Sequence, residues 1–240
     1  MPTKTGILAE GKSKRLHTTE DPHLLIQEFK DDATAFNGVK KASIQSKGVF
    51  NCDISTRMFK MLEDEGIPTH LIKNLSDTEQ LVTRLDIIMI EFVVRNRVAG
   101  SLAKRYGMEE GPALPRPIIE YFVKSDELGD PLIGRDCAEA LGYADFATID
   151  KCSEMTLKVN ELMVAFWSSL GVNLVDFKIE FGVDKDGNIL LADEITPDGC
   201  RLWDAKTGEK LDKDVFRRDL GDLSETYAKV ADMVAGAIQL

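Results

Sequence analysis

Apolar residues recur along the chain at two spacings, which predict a mixture of helices and strands. Residues 49–65 and 150–170 carry apolar side chains every three or four positions, and a glycine follows each segment, so we predict two amphipathic helices. A further helix is predicted at residues 223–238. Short apolar runs predict strands at 14–17, 24–29, 80–85, 87–94, 118–124 and, as a hairpin, 173–195.

The order of these elements bounds the fold. Strands and helices are mixed without the regular alternation that builds a doubly wound parallel sheet, so the pattern favours an α+β fold with antiparallel sheets. A chain of 240 residues is long enough for two lobes around a shared cleft. We predict a small, mostly antiparallel N-terminal lobe at residues 1–85 and a larger α+β lobe at residues 86–240.

Composition argues against several classes of function. The formal charge of −11 makes the surface a poor partner for nucleic acid or an anionic membrane. No run approaches the ~18 apolar residues of a membrane span. The four cysteines form no C-x-x-C pair, and we expect reduced thiols in a cytoplasmic protein. An anion that binds to this chain therefore needs a local cluster of lysines and arginines.

Residues 6–13 match the phosphate-binding pattern G-x-x-x-x-G-K-[ST], but their surroundings do not fit it. A P-loop lies between a buried strand and a long helix, whereas only five residues precede this pattern and the turn at Asp21-Pro22 leaves no room for the helix. We predict instead a tight basic turn in which Lys12 and Lys14 face one way. Such a turn can cover the phosphates of a nucleotide, or it can be a solvated basic strand.

A second motif, Val94 to Ser101, places arginines at the end of an apolar strand. By two-residue alternation, Arg95 and Arg97 lie on the same face of that strand. Gly100 and Ser101 are predicted to form a turn and the N-cap of a short helix, so helix amides would lie beside both guanidinium groups. This combination suits a phosphate or a carboxylate. The alternative is a pair of arginines bound to surface acids.

The third motif is the predicted hairpin, whose first strand alternates strictly. Asp176, Lys178 and Glu180 share one face, and the apolar residues between them share the other. If residues 186–187 form a two-residue loop, Glu180 lies directly opposite Asp193. Facing carboxylates repel each other, but they suit a magnesium site because Mg²⁺ takes carboxylate oxygens. A slipped register on an exposed hairpin is the alternative.

Two more polar segments follow the hairpin. The turn signal at 197–199 should bring Asp198 and Arg201 close to the carboxylate pair. Lys213 and Arg217 belong to a further basic patch in this acidic chain. The resulting set is rich in lysine, arginine and carboxylate, and the sequence shows no Ser-His-Asp motif beside it.

Seven segments, in order over essentially the whole chain, carry a resemblance to a known family. They are Gly11-Lys-Ser-Lys14, Phe36-Asn-Gly38, Ser76-Asp-Thr-Glu79, Val93-Val-Arg-Asn-Arg97, Ala99-Gly-Ser101, Val175-Asp-Phe-Lys-Ile-Glu-Phe-Gly182 and Asp193-Glu-Ile-Thr-Pro-Asp-Gly-Cys-Arg-Leu-Trp-Asp204. Together they resemble the phosphoribosylaminoimidazole-succinocarboxamide synthase (SAICAR synthetase) family, and the last two are very specific in combination.

The resemblance implies a two-lobed, ATP-grasp-like fold with a nucleotide cleft between the lobes. The N-terminal lobe would cover the ATP phosphates, and the C-terminal lobe would carry the metal and substrate sites. The implied enzyme is a ligase of de novo purine biosynthesis. It joins L-aspartate to the carboxylate of carboxyaminoimidazole ribonucleotide (CAIR) and gives SAICAR, ADP and phosphate. ATP and Mg²⁺ would be the cofactors, and we expect a homo-oligomer, with a dimer as the first candidate.

The resemblance also assigns roles to single residues. Catalysis would fall to Lys178, Glu180 and Asp193, and the last two would hold Mg²⁺. The nucleotide would contact Lys12, Ser13, Lys14, Ile87, Lys124, Glu180 and Asp193. The substrates would contact Asn37, Arg95, Ser101, Asp176, Lys178, Asp198, Arg201, Lys213 and Arg217. Gly129 stands where some members carry histidine, so an aspartate-binding role does not carry over to that position.

Two other classes stay open on the sequence alone. One is a different ATP-using enzyme, either a P-loop NTPase or a kinase that phosphorylates a small molecule. The other is a nucleotide-binding protein without catalytic activity. Release of ADP that depends on aspartate would separate the three, because an NTPase releases phosphate without aspartate and a binding protein releases none.

Overall fold

The structure, a computed structural model, describes residues 2–35 and 40–240. The strands in these ranges are β1 (Gly6–Glu10), β2 (Lys14–Thr18), β3 (Leu24–Phe29), β4 (Asp32–Ala35), β5 (Lys40–Ser43), β6 (Leu71–Asn74), β7 (Glu79–Thr83), β8 (Asp86–Ile87), β9 (Ile90–Arg97), β10 (Ala113–Val123), β11 (Leu132–Ile133), β12 (Val172–Val183), β13 (Ile189–Ala192) and β14 (Cys200–Asp204). The helices are α1 (Lys47–Asp64), α2 (Gly100–Tyr106), α3 (Arg135–Ala140), α4 (Phe146–Ser169), α5 (Asp214–Arg217) and α6 (Leu223–Ala237).

Five antiparallel strands near the start of the chain form one sheet, in the order β1-β2-β3-β7-β6. The edge strand β1 is exposed along its whole length, whereas the central β3 buries Leu25, Ile26 and Phe29. β4 and β5 form a separate antiparallel pair. The edge strand leads directly into the basic turn that the sequence singles out.

A second sheet is built around β12, a strand of 12 residues. β12 pairs antiparallel with β8, β9, β13 and β14, and β10 and β11 extend the sheet beyond β9. The predicted alternation of β12 is confirmed in the core, where Phe177, Ile179 and Phe181 are buried. The polar residues between them therefore lie on the opposite face of the strand.

One hydrophobic core joins elements from both halves of the chain. Ile54 and Met58 of α1 belong to the same buried cluster as Val159 and Met163 of α4 and as the apolar face of β12. α1 also packs against α6 at the C-terminal end of the chain. A boundary between lobes at residue 85 stays a prediction, since the core itself crosses it.

The predicted helices and most predicted strands are confirmed within a few residues. α1, α4 and α6 occupy the three segments that had helical periodicity. The α+β class with antiparallel sheets is confirmed as well. No helix in the described ranges is both long and apolar enough to cross a membrane.

The predicted register of the β12–β13 hairpin is wrong by one residue. Glu180 pairs with Ala192 and Phe181 with Leu191, so Asp193 is not the direct partner of Glu180. The loop is longer than predicted, because the amide of Asp184 donates to the carbonyl of Asn188 at 2.9 Å. Three residues therefore lie between this last bonded pair.

The side chain of Asp184 explains the longer loop. Its Oδ1 accepts hydrogen bonds from the amides of Asp186 at 2.9 Å and Asn188 at 2.8 Å. Gly187 then adopts φ 85°, the left-handed conformation that closes a three-residue hairpin loop. An aspartate at the start of the loop thus outweighs the Asp-Gly signal for a two-residue turn.

Candidate active site

The match to the P-loop pattern is a β-hairpin. Residues 6–10 form the exposed strand β1 and residues 14–18 form its antiparallel partner β2, so no helix follows Gly11 and Lys12. The amide of Gly11 donates to the carbonyl of Lys14 at 2.9 Å and closes a tight turn. The P-loop reading is excluded, and the tight basic turn is confirmed.

Five predicted site residues meet in one cluster of ion pairs. Lys178 Nζ lies 2.5 Å from Glu180 Oε1 and 2.8 Å from Asp193 Oδ2. Lys14 donates to the other carboxylate oxygen of Asp193. Lys124 Nζ lies 2.9 Å from Glu180 Oε1. The two carboxylates thus share an ammonium group, although they are not partners across the hairpin.

The backbone of Asp193 explains how its side chain joins the cluster. Asp193 follows the last residue of β13 and adopts φ 63°, which is left-handed backbone in a residue other than glycine. Aspartate tolerates this conformation better than most residues, and such strain concentrates at functional sites. The change of backbone direction at Asp193 ends the ladder at Ala192 and turns the carboxylate toward Lys14 and Lys178.

Burial and charge act against each other in this cluster. Burial alone would raise the pKa of Asp193, but Lys14 and Lys178 outweigh it and hold that pKa well below its ordinary value. Burial alone would lower the pKa of Lys178, but Asp193 and Glu180 outweigh it and hold that pKa well above its ordinary value. Both groups are therefore charged at neutral pH.

Two further carboxylates in the cluster were missed by the sequence analysis. Glu91 Oε1 lies 3.5 Å from Lys178 Nζ, and burial raises the pKa of Glu91. Glu194 Oε2 lies 3.3 Å from Lys14 Nζ but accepts no hydrogen bond from a described residue, and burial raises the pKa of Glu194. The alternation along β9 could have indicated Glu91 as a site residue, because Glu91 lies on the same face of this strand as Arg95.

An apolar cavity of about 300 Å³ opens on this cluster. Its wall combines residues of β1, β2, β3 and β7 with the segment at 85–87, so it lies where the two sheets meet. Its lining residues are Leu8, Ala9, Lys14, Leu16, Leu25, Gln27, His70, Val82, Thr83, Leu85, Ile87, Lys124, Glu180 and Asp193. Five of the predicted nucleotide contacts are among them: Lys14, Ile87, Lys124, Glu180 and Asp193.

Glycine at position 182 allows the close approach that forms one side of this cavity. A Cβ at Gly182 would lie 2.7 Å from the Cβ of Leu85 and 3.1 Å from the carbonyl oxygen of Asp86. The first distance is shorter than real contacts allow, and the second is a tight contact. The segment at 85–87 therefore runs beside β12, where β8 pairs with it, at a point that leaves no room for a side chain at position 182.

A second cluster surrounds the carboxylate of Asp176. Arg95 Nη1 lies 2.7 Å and Arg201 Nη1 2.9 Å from Asp176 Oδ2. Arg95 also donates to Glu120 Oε2 at 3.0 Å and to Ser101 Oγ at 2.9 Å. Arg95, Ser101, Asp176 and Arg201, which the resemblance assigns to the substrates, thus come together, and Arg201 contacts Asp176 where the sequence placed it close to the carboxylate pair.

Ser101 holds a different place from the one predicted. The N-cap of the short helix α2 is Ala99, and Ser101 is the second helical residue. The prediction failed because Gly100 takes φ 53° as the first residue of the helix, which shifts the cap by two positions. The hydroxyl of Ser101 faces Arg95 instead of capping the helix.

The remaining basic residues connect to this cluster through acids. Asp214 accepts from Arg201 Nε at 3.1 Å and from Arg217 Nη1 at 2.6 Å. Lys213 Nζ lies 3.5 Å from Asp198 Oδ1. Arg217 and Lys213 are therefore held by carboxylates of the protein beside Arg201.

Asp198 is engaged by the interior of the protein. Lys47 Nζ, whose side chain is fully buried, lies 2.5 Å from Asp198 Oδ2. Tyr227 donates to Asp198 Oδ1 at 2.8 Å and Asn51 to Oδ2 at 3.2 Å. Lys47 and Lys213 outweigh burial and lower the pKa of Asp198. This carboxylate ties α1 and α6 to the turn at 197–199.

The turn residues and Asn37 complete the predicted set. Lys12 Nζ lies 2.6 Å from Asp126 Oδ1, on the loop that follows β10. The carbonyl of Ser13 accepts from the amide of Lys30 at 2.8 Å. Asn37 lies outside the described residues. Among the described residues, no group of three or more His, Cys, Asp or Glu side chains is arranged to hold a metal ion.

Relatives of the chain share its sequence over nearly its whole length. The phosphoribosylaminoimidazole-succinocarboxamide synthase of Magnetococcus marinus is 54% identical over 226 residues, which cover 93% of each chain. The enzyme of that name from Nautilia profundicola is 55% identical over 93% of this chain and 96% of its own.

Solved structures agree with the fold. A SAICAR synthetase in complex with ADP superposes with a TM-score of 0.93 at 49% identity, over 98% of this chain and 99% of that one. The phosphoribosylaminoimidazole-succinocarboxamide synthase of Ehrlichia chaffeensis has a TM-score of 0.93 at 42% identity, over 95% and 98% of the two chains. A sequence model of the SAICAR synthetase family matches residues 7–234. The chain therefore belongs to the SAICAR synthetase family.

Proposed function

We propose that this protein is an ATP-dependent ligase that joins the amine of L-aspartate to the carboxylate of CAIR and releases SAICAR, ADP and phosphate in de novo purine biosynthesis. One arrangement carries the proposal. Asp176, Lys178 and Glu180 follow each other on one face of β12, at intervals of about 7 Å. The arginine cluster lies at Asp176 and the nucleotide-sized cavity at Glu180. Lys178 lies between them.

The cavity at Glu180 suits ATP. Its apolar wall would take the adenine, with Ile87 at its edge, and Lys14 and Lys124 stand where the phosphates would leave it. Lys12 and Ser13 lie on the β1–β2 turn, and Lys12 would reach the outer phosphates. Lys12 is the freest of these lysines, because its side chain is 43% exposed and has only Asp126 as an ionic partner among the described residues.

The carboxylates of this cluster fit a magnesium ion. Both lysine contacts to Glu180 use Oε1, so Oε2 of Glu180 receives no hydrogen bond from a described residue. Asp193 supplies a second carboxylate next to Glu180. Its two oxygens accept from Lys14 and Lys178, one lysine each, so each oxygen keeps a lone pair for a metal ion. Mg²⁺ is usually bound by one or two carboxylates together with phosphates and water. Two carboxylates, Glu180 and Asp193, therefore suffice for a metal ion that arrives with ATP.

The arginine cluster suits the ribonucleotide. Arg95 and Arg201 offer planar forks that bind phosphate or carboxylate with two hydrogen bonds, and Ser101 adds a hydroxyl. Lys213 and Arg217 would contribute positive charge at the edge of the site. Asp176 would orient both arginines, whereas Asp198 would act on substrate through Lys213, since its own oxygens are already engaged. Asn37 stays a proposed substrate contact.

The reaction needs a step that activates a carboxylate. A carboxylate oxygen of CAIR attacks the γ-phosphorus of ATP, the bond to the ADP oxygen breaks, and an acyl phosphate forms. The nitrogen of aspartate then attacks the acyl carbon, phosphate leaves with the electrons of the C–O bond, and the nitrogen loses protons to solvent. When bound, Mg²⁺ supplies positive charge to the phosphoryl group.

The residues of the chain bind and orient the reactants. Lys178 belongs to the cluster at the cavity and lies on the strand between Glu180 and Asp176. It donates to Glu180 and Asp193, so its ammonium is placed to neutralise charge on the transferring phosphoryl. Glu180 and Asp193 keep that ammonium in position. Positioning and charge neutralisation supply most of the catalysis in phosphoryl transfer.

Location and assembly are part of the proposal. The four cysteines, Cys52, Cys137, Cys152 and Cys200, are free, which agrees with a reducing compartment such as the cytoplasm. We propose a homo-oligomer, with a dimer as the first state to test by sedimentation. The net charge of −11 argues against nucleic acid as a partner.

Purified protein with MgATP, CAIR and L-aspartate tests the proposal. ADP release should depend on both CAIR and aspartate, and SAICAR should form in equal amount. ATP hydrolysis without aspartate would instead support an NTPase. CAIR-dependent phosphorylation without SAICAR would support a small-molecule kinase, and nucleotide binding without turnover would support a binding protein.

A further inference from the structure

The wall of the nucleotide cavity contains a buried imidazole with an unused hydrogen-bonding atom. His70 is 5% exposed, and its Nε2 has no hydrogen-bond partner among the described residues. His70 is part of the cavity lining together with Val82 and Leu85. A buried polar atom without a partner costs free energy, so such an atom in a ligand cavity indicates a partner supplied by the ligand.

The position of His70 is fixed by its neighbours. Its amide donates to the carbonyl of Leu191 at 2.9 Å, and its carbonyl accepts from the amide of Thr83 at 2.8 Å. The ring packs edge-to-face on Phe59, with centroids 5.4 Å apart. His70 therefore sits at the seam between the two sheets and presents its ring in one orientation.

The contacts of the ring define which of its nitrogens carries the proton. The ring of His70 lies beside the backbone of Asp193, whose carbonyl oxygen can accept from a ring N–H. Nε2 has no hydrogen-bond partner in the described part of the chain, so we assign the ring N–H to Nδ1. A neutral imidazole carries one N–H, and Nε2 is therefore an acceptor.

We propose that Nε2 of His70 accepts a hydrogen bond from the 6-amino group of the adenine and makes this enzyme select ATP over 6-oxopurine nucleotides. Adenine offers an N–H donor at position 6, whereas inosine and guanosine nucleotides offer a carbonyl oxygen there. An acceptor that faces a carbonyl oxygen stays unpaired and repels it. A site that hydrogen-bonds a substrate N–H rejects an analogue without it more strongly than apolar packing can. The inference rests on the proposed use of ATP.

The test compares ATP with ITP in the complete ligase assay. We expect the wild-type enzyme to prefer ATP over ITP by at least about tenfold in kcat/KM. His70→Leu and His70→Asn should lower this ratio by about fivefold or more, because neither side chain places an acceptor at the position of Nε2. His70→Gln should keep most of the preference, since the amide oxygen of glutamine reaches about as far as Nε2.

A matched histidine provides the control. His17 is also buried, but it pairs with Glu28 on the face of β2 opposite to Leu16, outside the cavity. His17→Gln should leave the ATP-to-ITP ratio unchanged. A purely structural role of His70 would lower activity with both nucleotides equally. An unchanged ratio in His70→Leu and His70→Asn would overturn the proposal.

A nucleotide analogue tests the same bond without any variant. Purine riboside triphosphate lacks the 6-amino group but fits the same space. We expect the wild-type enzyme to bind it at least about tenfold more weakly than ATP. Equal affinity would overturn the proposal. The ligase reaction with ATP itself is measured in every arm, so failure of the proposed function is seen separately as absence of SAICAR.

Discussion

The Cβ that Gly100 lacks would lie 2.6 Å from the guanidinium carbon of Arg201. Gly100 also adopts φ 53°. The guanidinium thus packs directly on the backbone at the start of α2, in the place that any other residue would fill. This contact fixes Arg201 beside Asp176, and it makes a glycine part of the proposed ribonucleotide site.

Gly100→Ala should therefore displace Arg201. We expect the affinity for CAIR to fall about tenfold or more while the affinity for ATP stays within about twofold, measured by calorimetric titration. The matched control is Gly107→Ala at the other end of α2, where φ is 63° but no atom lies within 4 Å of the added Cβ. Backbone strain is common to both variants. Equal CAIR affinity in the two variants would contradict a specific role of the contact with Arg201.

Arg95→Lys and Arg201→Lys should each weaken the binding of CAIR but not the binding of ATP. Each change keeps the charge but removes the fork that also holds Asp176. We expect a loss of about 1.5–3 kcal/mol in CAIR binding, the range for a hydrogen bond to a charged group. The Kd for ATP should be nearly normal. A parallel loss for both ligands would place these arginines at the nucleotide.

Lys12→Ala should weaken ATP binding, and Gly6→Ala should not. Lys12 lies in the turn, and its one ionic partner among the described residues is the exposed Asp126, so its ammonium is available to phosphates. Gly6 lies in the exposed strand β1, and a Cβ there would meet only Thr18 Oγ1 at 3.3 Å. Nucleotide titration of both variants is the measurement. A larger loss of ATP affinity in Gly6→Ala than in Lys12→Ala would contradict this prediction and support a P-loop.

Glu180→Gln should abolish most turnover and also lower stability. The predicted register implied repulsion between facing carboxylates, and on that basis the variant would fold as well as the wild type or better. The structure instead places Glu180 2.5 Å from Lys178 and 2.9 Å from Lys124. Removing one partner of a buried pair typically costs about 3–5 kcal/mol, and we expect less because Lys178 keeps Asp193.

Thermal melts with and without MgATP, together with turnover, test both halves of this prediction. Asp193→Asn should lose turnover and stability in the same way as Glu180→Gln. The control is Lys185→Gln, which should leave turnover and melting temperature unchanged. Within the ranges that the structure describes, Lys185 pairs with the adjacent exposed Asp186 and with no other acid. A Glu180→Gln variant that keeps full magnesium-dependent turnover would place the metal elsewhere.

Asp212 should make the protein less stable as pH rises toward 7. Burial, with a smaller contribution from Asp214, raises its pKa from 3.8 to about 7. The folded state binds the proton more tightly than the unfolded state, so this contribution to stability is full below pH 3.8 and is lost as pH rises through about 7. The free energy of unfolding falls by up to about 1.4 kcal/mol for each pH unit between these two pKa values.

Asp212→Asn should remove this dependence, because an amide does not ionise. Its one carbonyl oxygen can accept from only one of the Leu202 and Asp214 amides, which now donate to separate oxygens of Asp212, so the variant loses a constant amount of stability at every pH. The melting temperature of the wild type should fall relative to the variant between pH 5 and pH 8. Asp204→Asn is the control, since backbone amides of a turn lower the pKa of Asp204 and leave it ionised across that range. A constant difference between wild type and Asp212→Asn would contradict the assignment.

Local pattern determined much of the fold. The periodicity at α1, α4 and α6 and the alternation along β12 were readable from the sequence, because each depends only on which face of one element is buried. The same alternation put Asp176, Lys178 and Glu180 on one face. Composition and neighbouring residues were also enough to reject the P-loop, since that site needs a helix that the chain has no room for.

Only the tertiary structure decided how these side chains meet. Glu180 and Asp193 come together through Lys178 and a left-handed residue at the end of β13, whereas a count along the hairpin placed them opposite each other. The count failed because Asp184 closed a longer loop than the Asp-Gly signal predicts. The unpaired Nε2 of His70 could not be predicted from the sequence either. Burial and hydrogen-bond partners depend on elements that are distant along the chain.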